Sequence, residues 1–216
     1  QSAMAMLFPG PTRGDDRRFA ASLLSGVASG LGGRFFEELR DRQSLAYTVM
    51  VTPVLRRHAG AFLGYIATSP EKEDAARKGF LDQFARLCSE PVTERELRQA
   101  KTFAVGYNAI RREAASGIIG DLADAWMHGD SMDEIARYDE RINAVTAADI
   151  QAVARASFDP ARRVEGVIRG AGRKVCRDRN RPVVRKAGAR HAAVPPPPCR
   201  HTAIAIWPLD SRARRS

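Results

Sequence analysis

Residues 32–49 read Gly32-Gly33-Arg34-Phe35-Phe36-Glu37-Glu38-Leu39-Arg40-Asp41-Arg42-Gln43-Ser44-Leu45-Ala46-Tyr47-Thr48-Val49, the densest run of specific features in the chain. The paired glycines allow a tight break and close backbone packing between helices. Phe35, Phe36 and Leu39 are the apolar residues of a short helix expected over Arg34 to about Arg42. Arg40 comes near the end of that helix, where a cation is favoured by the helix dipole. Gln43-Ser44 turns the chain, and Leu45 to Leu55 has the β-branched and aromatic content of a strand. A helix-to-strand reversal of this length can bring Arg40 and Tyr47 toward one rim. The pair offers a cation with forked donors and a phenol that donates or accepts. By alternation alone, Tyr47 shares a strand face with Leu45, Val49 and Val51 and reads as a core residue. Arg40 alone reads as a surface arginine at a helix end.

Working outward, Ser2 to Phe8 reads as a buried strand closed by Pro9-Gly10-Pro11. Asp15 and Asp16 can start a helix from about Arg17 to Leu31. Ala61 to Thr68 is the hairpin partner of Leu45–Leu55, joined through residues 56–60, whose Arg56-Arg57 reads as a solvated tip. The pattern then turns helical. Ser69-Pro70 offers a cap with Pro at the first helical position. Ala76, Phe80, Phe84 and Leu87 mark a core stripe. Thr93-x-x-Glu96, Ser131-x-x-Glu134 and Thr146-x-x-Asp149 are capping boxes or close relatives of one, opening helices at about 93–115, 131–143 and 146–158. Ile118, Leu122, Ala125 and Trp126 mark another helix, read as core, that stops near Gly129. Arg163 to Ile168 can return to the sheet as a last strand. Strands and helices are largely segregated, which predicts an α+β fold: a two-layer sandwich of a mostly antiparallel sheet covered by helices.

Composition narrows the possibilities further. The net charge is +10, yet residues 1–170 hold 23 Lys/Arg and 23 Asp/Glu, so all of the excess lies in residues 171–216. A basic tail attracts phosphates non-specifically, but a neutral body gives no support for nucleic-acid binding as the function. From about Gly170 onward Arg dominates, Pro195–Pro198 run together and periodicity disappears. Residues 171–216 therefore read as a disordered tail beside a single domain over 1–170. A GC-rich gene read out of frame would give the same composition. No stretch is apolar enough to span a membrane, and no secretory leader precedes the first strand. A start at Gln1 reads as a fragment or a processed product. Cys88 falls on the apolar side of a helix and reads as a small buried hydrophobe. Inverted and ordinary zinc-peptidase motifs, Cys/His zinc clusters, G-x-S-x-G and phosphate loops are all missing, and His58 and His128 read as surface or capping residues.

Taken together, Gly33-Arg34, Phe36, Leu39-Arg40 and Leu45-Ala46-Tyr47 follow the pattern G-R-x-F-x-x-L-R-x-x-x-x-L-A/G-Y. This resembles the C-terminal, non-zinc domain of the insulinase (pitrilysin-like) metallopeptidases, which include the mitochondrial processing peptidase. The opening strand ending in Phe8-Pro9-Gly10-Pro11 is also similar, and the order of elements agrees through about residue 169. The resemblance implies a substrate-clamp domain over 1–170 that closes on a zinc-bearing homologous domain or subunit. It implies that Tyr47 hydrogen-bonds the scissile carbonyl or its oxyanion, while Arg40 fixes the peptide beside it. Zinc would be held by the partner domain and not by this chain, which would then not be catalytic alone. The alternative is a structural subunit that keeps the fold and has lost proteolysis. Ser44 stands where many members have glycine, a mild departure because nothing in the sequence calls for a positive φ at that turn.

Overall fold

The computed structural model describes residues 1–30, 32–128, 132–170 and 205–206. Its centre is an antiparallel sheet in the order β2-β3-β1-β4-β5. Strand β1 (Ser2–Pro9) pairs on one side with β3 (Gly60–Thr68) and on the other with β4 (Val164–Arg169). Strand β2 (Thr48–Leu55) pairs with β3. Of residues 171–216 only Ala205–Ile206 are described, as the two-residue β5 beside β4; the reading of this stretch as a disordered tail otherwise lies outside the described residues.

Alternation decides which face is buried. Met4, Met6 and Phe8 of β1, Val49 and Val51 of β2, and Phe62 and Ile66 of β3 lie on one face and are nearly inaccessible. Helices cover that face: α1 (Arg17–Ser29), α2 (Glu73–Ser89) and α7 (Ala147–Ser157). Leu7, Met50, Val164 and Ile168 are exposed on the other strand positions. The expected two-layer α+β sandwich is the fold observed. Its centre is aromatic: the Phe84 ring lies 4.6 Å from Phe8, 5.1 Å from Phe35, 4.9 Å from Phe80 and 4.8 Å from Phe158. Gly64 makes room for it, because a Cβ there would stand 2.8 Å from Phe84 and 2.9 Å from Phe80.

The outer edge of β2 is blunted. Ser25 and Ser29 of α1 donate their hydroxyls to the Val51 carbonyl at 2.6 and 2.8 Å. Peptide groups alternate in direction along an antiparallel strand, so Pro53 also faces outward, where its missing N–H costs no ladder bond.

Helix α3 (Glu94–Glu113) opens with the expected capping box, Thr93 Oγ1 accepting from the Glu96 N–H at 3.3 Å while Glu96 accepts from the Thr93 N–H at 2.8 Å. Thr146 and Asp149 cap α7 in the same way. Ser69 does not cap as expected. A 3₁₀ turn over Pro70–Lys72 intervenes, and α2 begins at Glu73. The single helix expected over 131–143 is two, α5 (Met132–Ala136) and α6 (Tyr138–Ala144). Ser131 and Gly129, invoked for a cap and a stop, lie outside the described residues. Between α3 and α5 runs α4 (Ala115–His128). Its Leu122 and Trp126 were expected in the core. They are exposed instead, Trp126 at 85%, because α4 lies beside α3 rather than on the sheet.

Candidate functional site

The corner between α1 and β2 is built by the residues of the quoted stretch. Gly32 adopts φ +95°, a conformation that side chains rarely tolerate. A Cβ on Gly33 would stand 2.8 Å from the Ala28 carbonyl. Arg34 reaches out of the corner to the root of α3. Its guanidinium donates to both carboxylate oxygens of Glu96, at 2.7 and 2.9 Å, and to the Pro91 carbonyl at 2.9 Å. The guanidinium and the capping-box bonds from Thr93 favour the charged carboxylate, and Glu96 is lowered from 4.5 to about 2.

The short helix expected here is a π-helical turn over Phe36–Arg42. Phe35 and Leu39 point into the core with no accessible surface, and Phe36 is half-buried against it. The turn ends at the Leu39 carbonyl, which accepts from the N–H groups of Leu45 at 2.7 Å and Ala46 at 3.2 Å. That carbonyl belongs to the peptide group joining Leu39 to Arg40. The backbone at Arg40 therefore lies one hydrogen bond from Ala46, the neighbour of Tyr47.

Further bonds fix the loop. Thr68 Oγ1 donates to the Leu45 carbonyl at 2.6 Å, Lys72 Nζ to the Ser44 carbonyl at 2.9 Å, and the Tyr47 N–H to the Ala67 carbonyl at 2.8 Å. Beneath it, Gly79 of α2 leaves no room for a Cβ, which would stand 2.9 Å from Leu39. Ser44 has φ +51°. The turn therefore does require a positive φ where sequence alone suggested none, and serine replaces glycine there at a cost in strain.

Arg40 and Tyr47 are the two residues of the pattern left outside this packing. Arg40 is exposed and lies 4.6 Å above the Phe36 ring, and among the described residues it makes no ion pair. Tyr47 is 63% exposed, not on the core face that alternation assigned to it. The reason is a slip in the alternation. Ala46 and Val49 are buried while Tyr47 and Thr48 between them are both exposed, because β2 starts only at Thr48 and the chain bends before it. Tyr47 lines a shallow hollow of about 410 Å³ with Gln1, Ser69, Pro70 and Glu71.

A larger recess of about 550 Å³ lies between α1, α3 and α4, but its charges satisfy one another. Asp121 binds Arg111 and Arg112, and Arg18 binds Glu134 at 2.5 Å. Among the described residues no three His, Cys, Asp or Glu side chains gather closely enough to hold a metal ion, so these residues do not fit a zinc site. His128 Nδ1 lies 2.8 Å from the Asp124 carbonyl, and Cys88 is half-buried against the core, its thiol pushed up by burial. No helix is long and apolar enough to cross a membrane among the described residues.

Sequence reasoning missed an apolar surface. Phe103, Tyr107 and Ile110 on α3, and Ile119, Trp126 and Met127 on α4, are all largely exposed. The available signal was an uncharged run over residues 102–110 in a helix otherwise rich in charge.

Residues 1–103, which include the whole corner, match the family model described as the Peptidase M16 inactive domain. An uncharacterized zinc protease of Streptomyces coelicolor is 27% identical over 159 residues, covering 72% of this chain and 34% of that protein. The chain thus spans about a third of the length of the curated relatives it matches. Among solved structures, a protease from Helicobacter pylori superposes with a TM-score of 0.73 at 18% identity, over 78% of this chain and 41% of that one. An inactive peptidase domain from Bordetella parapertussis gives 0.71 at 19% identity, over 80% of this chain and 92% of that one. The antiparallel sandwich, the corner it carries and these matches agree with the insulinase-type resemblance: over residues 1–103 the chain is similar to the inactive domain of the M16 peptidases.

Proposed function

We propose that this chain is the peptide-holding half of a zinc-dependent endopeptidase, with Arg40 and Tyr47 as its substrate contacts. The observation that carries the reading is the division of labour within the motif. Gly33, Arg34, Phe36, Leu39, Leu45 and Ala46 are each taken up in building the corner, while Arg40 and Tyr47 are exposed. A π-helical turn also supports it, since such turns are rare and recur at functional sites.

The companion would be a zinc-bearing domain corresponding to the part of the curated relatives that this chain does not span. Metal and attacking water reside there. This chain's own residues bind and orient. The Arg40 guanidinium holds a peptide carbonyl or carboxylate through its forked donors. The Tyr47 phenol donates to the scissile carbonyl oxygen, a bond that strengthens as negative charge develops on that oxygen.

The test reconstitutes the chain with the zinc-bearing domain from the same genome and follows cleavage of a fluorogenic peptide. Tyr47→Phe should lower kcat by about 10²-fold, as loss of one oxyanion donor does. Arg40→Ala should chiefly raise KM. Both side chains are exposed, so circular dichroism should show both variants folded. Cleavage that is unchanged in both would remove the assignment.

A further inference from the structure

Helix α3 divides at its middle. Its first half is anchored: Leu97 and Ala100 are buried, and Ala100 packs near Gly26 of α1. Its second half keeps only Asn108 fully covered, and Phe103, Tyr107 and Ile110 form an exposed stripe at spacings of four and three residues. No charged residue occurs between Thr102 and Ile110. Beside it α4 exposes Ile119, Trp126 and Met127. These six side chains present on the order of 1,000 Å² of surface. That is more than the few hundred Å² a monomer usually leaves in one patch, and close to the ~800 Å² per partner of a standard interface.

We propose that this face pairs with its counterpart on a second copy of the chain, the two α3 helices crossing antiparallel about a twofold axis near Gly106 and Tyr107. Three observations select a second copy as the occupant. A twofold axis between positions 106 and 107 opposes Phe103 with Ile110 of the other copy, so the stripe is complementary to itself. Gly106 lies at the crossing point, and a Cβ built on it would meet nothing within 4 Å, which leaves space for the partner helix. The immediate neighbours of the uncharged stretch, Lys101 and Arg111, are bound within the chain; in line with the stripe beyond them stand exposed Arg95 on one side and Glu113 on the other, of opposite sign, and neither makes an ion pair among the described residues. The same register sets Glu113 of one copy level with Ala100 of the other, about 7.5 Å along the helix from its Arg95, a span the two side chains can bridge. Antiparallel dipoles add to this arrangement. The pairing does not depend on the role proposed for Arg40 and Tyr47.

Sedimentation velocity of the full chain tests it. The chain should dimerise with a Kd of about 10 µM. Phe103→Glu with Tyr107→Glu should weaken the dimer by at least ~100-fold, with the far-ultraviolet spectrum unchanged because both side chains point to solvent. Arg95→Glu should weaken it about threefold, and Glu113→Arg in the same chain should restore it. A chain that stays monomeric at about 100 µM overturns the proposal. So does a dimer indifferent to the Phe103/Tyr107 change. Capture of a zinc-bearing companion domain through these same residues, without self-association, would assign the face to that domain and equally overturn it.

Discussion

Two aromatic pairs at the same helical spacing meet opposite fates in this molecule. Phe80 and Phe84 on α2 are sealed between the sheet and α7, while Phe103 and Tyr107 on α3 stack at 5.9 Å in the open. The sequence pattern is alike, four residues apart on one helix face. What differs is whether a second layer exists over that face. Helix α2 lies along β3, where Gly64 admits both rings; the second half of α3 runs past the helices that cover the sheet. Periodicity therefore identifies a face that wants covering. It does not identify what covers it.

The comparison predicts its own largest effect. Phe84→Ala removes the ring at the centre of four aromatic contacts and should cost about 3–5 kcal/mol in urea unfolding. Phe103→Ala should change the stability of the isolated chain by less than about 0.5 kcal/mol. Equal costs for the two would mean that the second half of α3 is packed after all, and the contrast would fail.

How much was legible beforehand follows the same divide. The strands of 2–8, 61–68 and 163–168, the Phe80/Phe84 stripe and the boxes at Thr93 and Thr146 depend on local alternation, local periodicity and reciprocal bonds within four residues. All are observed within a residue or two of the expected limits. The exposure of Leu122 and Trp126 depends on tertiary placement, which one amphipathic stripe does not encode. Tyr47 was misplaced in the core because alternation was extended backward through a bend, and the slip between Ala46 and Val49 leaves no mark in residue type. Arg34 was visible as part of a pattern, but its partner Glu96 lies 62 residues away and spacing could not find it.

That long-range tie gives the next effect in size, because it anchors the packed half of α3. Glu96 sits at about 2 in the folded chain against an ordinary 4.5. Its contribution is complete above the unfolded value and is lost as pH falls from there through about 2. The loss should amount to about 2 kcal/mol, reduced from the full linkage value because the pair is partly solvated. Thermal melts of the native chain and of Glu96→Gln between pH 6 and pH 2, as an order-of-magnitude window, separate this group from the other carboxylates. The two curves should converge as the pH falls. Curves that stay parallel would show that the pair does not hold the root of α3.

The smallest effect concerns the corner, which is neither sealed nor loose. Its backbone is bound through the carbonyls of Leu39, Ser44 and Leu45, and the motif side chains Arg40 and Tyr47 remain in solvent. If that rigidity is backbone rigidity, Ser44→Gly is informative, since Ser44 holds φ +51° and glycine adopts this conformation without the steric penalty. The folded corner gains by relief of strain and loses through the greater freedom of glycine in the unfolded chain. The first term is the larger, so the substitution should stabilise by about 0.5–1 kcal/mol. Ser44→Val should destabilise by a similar or greater amount, because a β-branched side chain tolerates positive φ least. If glycine destabilised instead, the strain at residue 44 would be absent from the protein in solution, and the turn that sets Arg40 beside the entrance to β2 would be looser than the hydrogen bonds around it imply.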